Sequence, residues 1–435
     1  MSKVYFDITD LINWPGNLTG IQRVSFNLAI RLKDEIPDAQ FVKYNKYINK
    51  IVEANLNEID YYNNYKNKDD KYKFNHHETF KYKIIQSGVY DLGKRYLPLY
   101  LKILIVKIYK IKSFYFKKII NSLKKQSAKN TKEIIFKKND VYLLTAANDN
   151  WNLEGVVAIL KEQKKINNIK IVHIIYDLIP IQFSQFFGSN GQFSKRYTNY
   201  LFEIIKLSDQ LIAISKSVKL NLLDFIKSTK LPNKPINVIR LGDEINPNQN
   251  FKFEINDTDE PFILAVGTFE VRKNYLLLYM AYKLAEQEKI KLPKLIIVGK
   301  FGWLVENLNY LIKHDYLLED KIIIKHNVSD EELSQLYKNC LFTVYPSIYE
   351  GWGLPIAESL AYGKMCLASS TSSMPEIAGQ LIEYFNPYDA AHLLKLLEQY
   401  NNEALLRKKE LEIKNNYKIT TWDKTAKQFY KFVVK

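Results

Sequence analysis

Two carboxylates eight residues apart, Glu350 and Glu358, bracket a Gly-Trp-Gly-Leu-Pro turn within Ser347–Tyr362. The apolar run Leu341–Tyr345 ahead of them reads as a strand, and Ile356–Tyr362 as a helix that begins just before the second acid. A strand, a glycine loop and a helix in that order belong to an open α/β sheet, where ligands bind at the carboxyl ends of the strands. Glycines let a backbone approach a ligand closely, and the free N–H groups of a helix N-terminus attract anions. Carboxylates beside such a site do not hold phosphate; they suit hydroxyl donors, which a sugar and a ribose both supply. Either glutamate alone fits an ordinary surface loop or first helical turn, but the whole segment points to a site.

The segment resembles the E-x7-E signature of the large retaining glycosyltransferase group called family 4, which has the two-domain GT-B architecture. Three more elements are similar to that family and stand in its order. They are Ala265-Val-Gly-Thr-Phe-Glu-Val-Arg-Lys-Asn274, Leu295-Ile-Ile-Val-Gly-Lys-Phe-Gly-Trp303 and Ser369-Ser-Thr-Ser-Ser-Met-Pro-Glu-Ile-Ala-Gly379. Together they span about residues 262–380. The N-terminal half is similar more loosely: Thr19-Gly-Ile-Gln-Arg-Val24 resembles a subgroup that builds bacterial surface polysaccharides. Asp177-Leu-Ile-Pro180 stands where many relatives have His-Asp-x-x-Pro, with Tyr176 in place of the His. That departure removes the basis for a histidine contact to the reacting sugar at this loop.

The resemblance implies a fold and a set of roles. The expected fold is α/β, two Rossmann-like doubly wound domains facing a central cleft. Arg272 and Lys273 would hold the nucleotide diphosphate as fixed cations in place of a metal, with Arg suited to bidentate phosphate contacts. Glu350 would bond donor-sugar hydroxyls and Glu358 the ribose. Gly351, Trp352, Gly353, Leu354, Gly267, Thr268 and Gly299 would line the donor site, with Gly20 and Asp177 from the opposite half. Ser215, Lys216 and Glu376 are further candidates for ligand contact. Trp303 and Trp352 read equally as pocket walls or as plain packing, and His173, on a buried strand, as a packed core residue. A literal D-x-D, Asp257-Thr-Asp259, lies in a polar stretch with no strand leading into it, so no metal or cofactor is expected.

The chain has 435 residues, 47% of them apolar, enough for two cores. Residues 1–245 read as the acceptor-side domain with an irregular insertion at about 46–135. Residues 246–260 read as a linker, 261–415 as the nucleotide-sugar domain, and 416–435 as a helix crossing back to the first domain. The two cysteines suit buried thiols of a reducing compartment, and the six histidines form no metal-ligand spacing. No secretory leader is visible, and no apolar run reaches the ~18–20 residues that span a bilayer.

The net charge is +16, concentrated between Leu92 and Lys132, where no acid occurs. On a helical wheel, Lys102, Lys107, Lys110, Lys117, Lys118, Lys124 and Lys125 share one half, opposite Leu104, Ile105, Ile108, Tyr109, Tyr115, Phe116 and Ile119, with Lys112 the exception. A basic amphipathic helix over about 94–125 fits an anionic membrane surface; an ordinary solvated helix in a lysine-rich protein is the alternative. No pattern for nucleic-acid binding is present. The expected activity is transfer of a hexose, mannose from GDP-mannose first and dTDP-rhamnose or a UDP-hexose behind it. The expected acceptor is a glycan or lipid-linked glycan at the inner face of the cell membrane, in O-antigen or capsule synthesis. Another GT-B reaction, such as phosphorolysis or epimerisation, and a non-catalytic scaffold remain as alternatives.

Overall fold

The computed structural model describes residues 2–14, 18, 20–59, 131–145, 153–245 and 260–434. The basic segment at about 94–125, the D-x-D pair and residues 246–259 of the expected linker lie outside them.

The first domain holds seven strands: β1 (Val4–Asp7), β2 (Gln40–Asn45), β3 (Lys50–Glu53), β4 (Val141–Leu144), β5 (Lys170–Ile175), β6 (Gln210–Ala213) and β7 (Ile236–Val238). Their spatial order is β3-β2-β1-β4-β5-β6-β7, parallel throughout except for β3. The second domain holds β8 (Phe262–Val266), β9 (Lys294–Val298), β10 (Ile322–Lys325), β11 (Thr343–Tyr345), β12 (Cys366–Ser369) and β13 (Glu383–Phe385). All six pair in parallel, in the order β10-β9-β8-β11-β12-β13. Helices cover both faces, which is why β1, β4, β11 and β12 are buried at every residue. In each sheet the order reverses beside the first strand, between β1 and β4 and between β8 and β11. Those two switch points are where the fold places crevices.

The structure departs from the sequence reading within the expected insertion. Residues 40–53 form a hairpin of β2 and β3, and the chain returns to pair with it: Glu53 N–H donates to Lys132 O at 2.9 Å and Ile134 N–H to Ile51 O at 3.0 Å. Both ends of the expected irregular insertion are therefore ordered. The last strand of the first sheet is Ile236–Val238, and residues 240–245 serve the domain junction. The edge strand β13 has only three residues, too few to show a period.

At that junction Asp243 accepts from Thr420 N–H at 2.7 Å and Tyr417 Oη at 3.0 Å, and it pairs with Arg240. A Cβ on Gly242 would lie 2.5 Å from the Trp422 ring, so only glycine lets the crossing chains meet. The helix Trp422–Val434 then packs on the first domain, where Tyr430 Oη donates to Leu28 O at 2.6 Å and Asp423 pairs with Arg31.

Candidate active site

Arg272 and Lys273 occupy a short 3-10 turn, Val271–Lys273, after β8, and Glu350 follows the neighbouring strand β11. Parallel strands side by side place both loops at the same end of the sheet, which brings the three residues together. Glu350 Oε2 lies 2.6 Å from Arg272 Nη1, and its Oε1 lies 2.6 Å from Lys273 Nζ. Ser347 Oγ and Tyr345 Oη also donate to Oε1, at 2.6 and 2.9 Å. Arg272 donates further to Tyr349 O at 2.8 Å and pairs with Glu270 at 2.6 Å.

The group is buried, and its charges decide its protonation. Burial works to raise the Glu350 pKa, but Arg272 and Lys273 outweigh it and hold the carboxyl at about 2. Burial likewise works to lower the pKa of Arg272, yet Glu350 and Glu270 raise it. For Lys273 burial prevails, and its pKa is lowered against the pull of Glu350.

The first domain closes over this group with the loop after β5. An ideal Cβ on Gly351 would stand 2.0 Å from Tyr176 O and 3.2 Å from Asp177 Cβ, so the two loops touch through the absence of a side chain. Burial raises the pKa of Asp177, opposed by Arg272 across the interface. Tyr176 is buried, with its hydroxyl on Thr145 O and Ser25 Oγ. His173 is 3% exposed and bonds Leu144 O at 2.9 Å, and burial lowers its pKa to about 4. It packs in the core below the loop.

Most of the remaining expected residues are surrounded by protein groups. Gly353, at φ +134°, is the N-cap of the helix Leu354–Ala361, a backbone setting that glycine tolerates. Gly299 has no room for a Cβ, since Gly267 O would lie at 1.8 Å; its smallness packs two strand-end loops together. Gly267, at φ +153°, offers its carbonyl to Tyr275 Oη at 2.9 Å, and Thr268 O accepts from Glu270 N–H at 2.8 Å. Gly20, exposed, opens the helix Gly20–Ile30. Trp352 is buried against Arg240, whose guanidinium lies 5.7 Å from the ring centroid. Its Nε1 has no hydrogen-bond partner among the described residues.

Glu358 is 4% exposed and held by protein on both oxygens: Arg23 Nη1 at 2.8 Å and Tyr337 Oη at 2.8 Å. Arg23 also bonds Asp330 at 3.0 Å. Burial still raises the pKa of Glu358 more than Arg23 and Tyr337 lower it. Glu376, from the helix Met374–Ala378, accepts the N–H groups of Lys216 and Ser217 at 2.8 and 2.7 Å, capping a first-domain helix from the second domain. The sequence reading assigned no role to Arg23, Glu270, Asp330, Tyr345 or Ser347. Arg23, Glu270 and Ser347 do lie inside quoted motifs, which was the available signal.

Two doubly wound domains with acids and cations gathered at the facing strand ends define the GT-B class. Solved structures share that fold. A glycosyltransferase from Rickettsia africae ESF-5 superposes with a TM-score of 0.55 at 16% identity, covering 100% of this chain and 99% of that one. Anabaena HepE in complex with UDP-glucose gives 0.56 at 15%, covering 100% and 95%. Residues 247–418 match the glycosyl transferases group 1 family, and the whole chain has the GT-B fold. Among curated relatives, the Escherichia coli O-antigen chain mannosyltransferase B is 38% identical over 141 residues, which is 32% of this chain and 37% of the relative. The Escherichia coli serotype-specific mannosyltransferase WbdA is 27% identical over 267 residues, 59% of this chain and 32% of the relative. The chain thus matches about a third of the length of these relatives. No helix among the described residues is long and apolar enough to cross a membrane.

Proposed function

We propose that this chain is a retaining glycosyltransferase that moves a hexose, mannose from GDP-mannose in the first instance, onto a glycan or lipid-linked glycan in surface-polysaccharide synthesis. One observation carries the reading: Glu350 is gripped on one oxygen by Arg272 and on the other by Lys273 at the β8/β11 switch point. With Glu270 the group balances, two positive charges against two negative. A nucleoside diphosphate entering there brings excess negative charge, so the cations turn to phosphate and Glu350 is released toward sugar hydroxyls.

The donor count allows this exchange. An ammonium has three N–H donors and a guanidinium five. Lys273 uses two, to Tyr345 and Glu350. Arg272 uses three, to Glu350, Tyr349 and Glu270. One lysine and two arginine N–H groups remain for a ligand among the described residues. In the transfer, the bond from the anomeric carbon to the phosphate oxygen breaks while negative charge builds on the diphosphate. Fixed cations in a buried site stabilise that charge without reorganising. The acceptor oxygen attacks from the same face, and its proton passes to the departing phosphate oxygen. No metal takes part in this scheme.

The mannosyltransferase names of the curated relatives support mannose as the sugar; the UDP-glucose in the HepE complex favours a UDP-hexose as the second reading. The proposal extends to a cytoplasmic enzyme docked on anionic lipid through about 94–125, where each lysine near the surface contributes on the order of 1 kcal/mol. Calorimetric titration with GDP, UDP and dTDP, followed by a donor screen with mass detection of the product, tests the reading. Saturable heat and a product with the donor's anomeric configuration are expected. A protein that binds none of the three diphosphates, or that inverts the linkage, refutes it.

A further inference from the structure

We infer that an aromatic strip running from Trp303 to Tyr349 is the acceptor subsite, and that the acceptor it takes is a neutral saccharide chain. The inference deepens the function proposed above and rests on it.

From Leu178 to Ser194 the seventeen residues carry no charge, in a chain where 25% are charged. The segment supplies Phe183, Phe186, Phe187 and Phe193, and between them Gln182, Gln185, Asn190 and Gln192 are all exposed. Phe187 and Phe193 stack at 4.9 Å, and Phe183 and Phe186 at 5.3 Å. The strip continues across the cleft. Trp303 Nε1 donates to Phe186 O at 2.5 Å, its ring lies 6.0 Å from Phe187, and Phe183 lies 4.9 Å from Tyr349.

The two ends of the strip differ in a way that suits a bound chain. At the outer end Trp303 is 43% exposed, a large aromatic side chain partly open to water. At the inner end Tyr349 precedes Glu350, and its carbonyl accepts from Arg272 at 2.8 Å. A ligand lying along the rings therefore has its inner terminus at the reacting group. Pyranose rings present flat C–H faces that pack on aromatic rings, while their hydroxyl edges bond to amides. Exposed glutamines and asparagines beside the phenylalanines match that mixed surface. A phosphate or uronate would call for cations within the segment, and they begin only at Lys195. A lipid tail would gain nothing from the amides.

Titration of neutral oligosaccharides of two to four residues, built on mannose, glucose or galactose, against donor-free protein tests this through tryptophan fluorescence. Saturable quenching that tightens with chain length is expected for at least one series, and Trp303→Phe should lose the quench while keeping most of the affinity. Kinetics with the donor should show Trp303→Ala raising acceptor KM about fivefold to tenfold, with donor KM unchanged. If Trp303→Ala does not fold, Gln185→Glu, at an exposed position, is expected to raise acceptor KM in its place. No binding by any series, an acceptor KM that neither variant moves, or a sugar-free polyprenyl phosphate that serves equally well would overturn the inference. Loss of nucleoside diphosphate binding would instead strike the function proposed above, whereas intact donor binding with a flat saccharide response strikes this inference alone.

Discussion

Arg23 donates to Glu358 at 2.8 Å although 335 positions separate them in the chain, one in each domain. Its second amino group reaches Asp330 at 3.0 Å, so one first-domain guanidinium ties two second-domain acids. Glu358 sits so deep that burial alone raises its pKa, and Arg23 is the cation that lets it remain there as a carboxylate. If Glu358 is to read a ribose, this contact must loosen as the donor enters, which links donor binding to the spacing of the domains.

Removing that cation should leave a buried charge without its partner. Arg23→Ala is expected to lower stability by about 3–5 kcal/mol. Adding Glu358→Gln should recover part of the loss, since the orphaned charge goes with it. Denaturant unfolding of the two single variants and the double variant checks the coupling; additive losses would show that the pair does not interact.

Arg272 is the cation best placed to meet charge that grows on a leaving diphosphate. Arg272→Ala should lower kcat by about 10²–10³-fold, on the scale of one lost charge-stabilising donor, and change donor affinity much less. Steady-state kinetics beside calorimetric donor binding separates the two effects. Equal loss of binding with unchanged turnover would contradict the role.

At Gly351 the two domains leave no room for a side chain, with 2.0 Å between an ideal Cβ and Tyr176 O. A carbonyl is not a flexible side-chain end, so Gly351→Ala must push the β5 loop away. The expected loss is about 1–3 kcal/mol of stability, as for other overpacked sites, together with a fall in turnover because Asp177 moves with the loop. Thermal unfolding and kcat of the variant report both.

The acid response of Glu350 has a definite sign. Its folded pKa is depressed to about 2 from the usual 4.5. The stability it contributes is therefore present above pH 4.5 and is lost as pH falls through 2. The stability gap between the protein and Glu350→Gln should stay constant above pH 4.5 and narrow steadily below it. Glu358 has the opposite sign: its burial penalty is absent at low pH and grows as pH rises through its raised folded pKa. A gap that does not narrow below pH 4.5 would mean Glu350 is not held by its two cations.

Much of the fold was legible because its signals are short-range. An apolar run, a glycine loop and a helix start marked β11 and the helix Leu354–Ala361 within two residues, since a segment's own side chains decide its period and its breaks. Arg272, Lys273 and Glu350 were legible as a group through the family resemblance; the structure adds that each follows a strand and that parallel neighbours deliver their loops to one end of a sheet. The hairpin β2–β3 and the strand β13 were not, because β3 and β13 stand at the sheet edges and are held by pairing with a single neighbour, which leaves them little pattern of their own. Gly299 shows the limit at a single residue. Its sequence setting suggested a ligand loop, while the structure gives it the task of admitting Gly267 O, which no local pattern reveals.

The amino-acid sequence determined that there would be two largely parallel sheets, with cations after one strand and an acid after another. Only the tertiary structure decided that Glu358 would hold Arg23, that Glu376 would cap a helix of the opposite domain and that Trp303 would face Phe187. The reason is physical: backbone conformation follows from neighbours along the chain, whereas the partner of a buried charge or an aromatic face is whichever group the packed domains bring within a few ångströms.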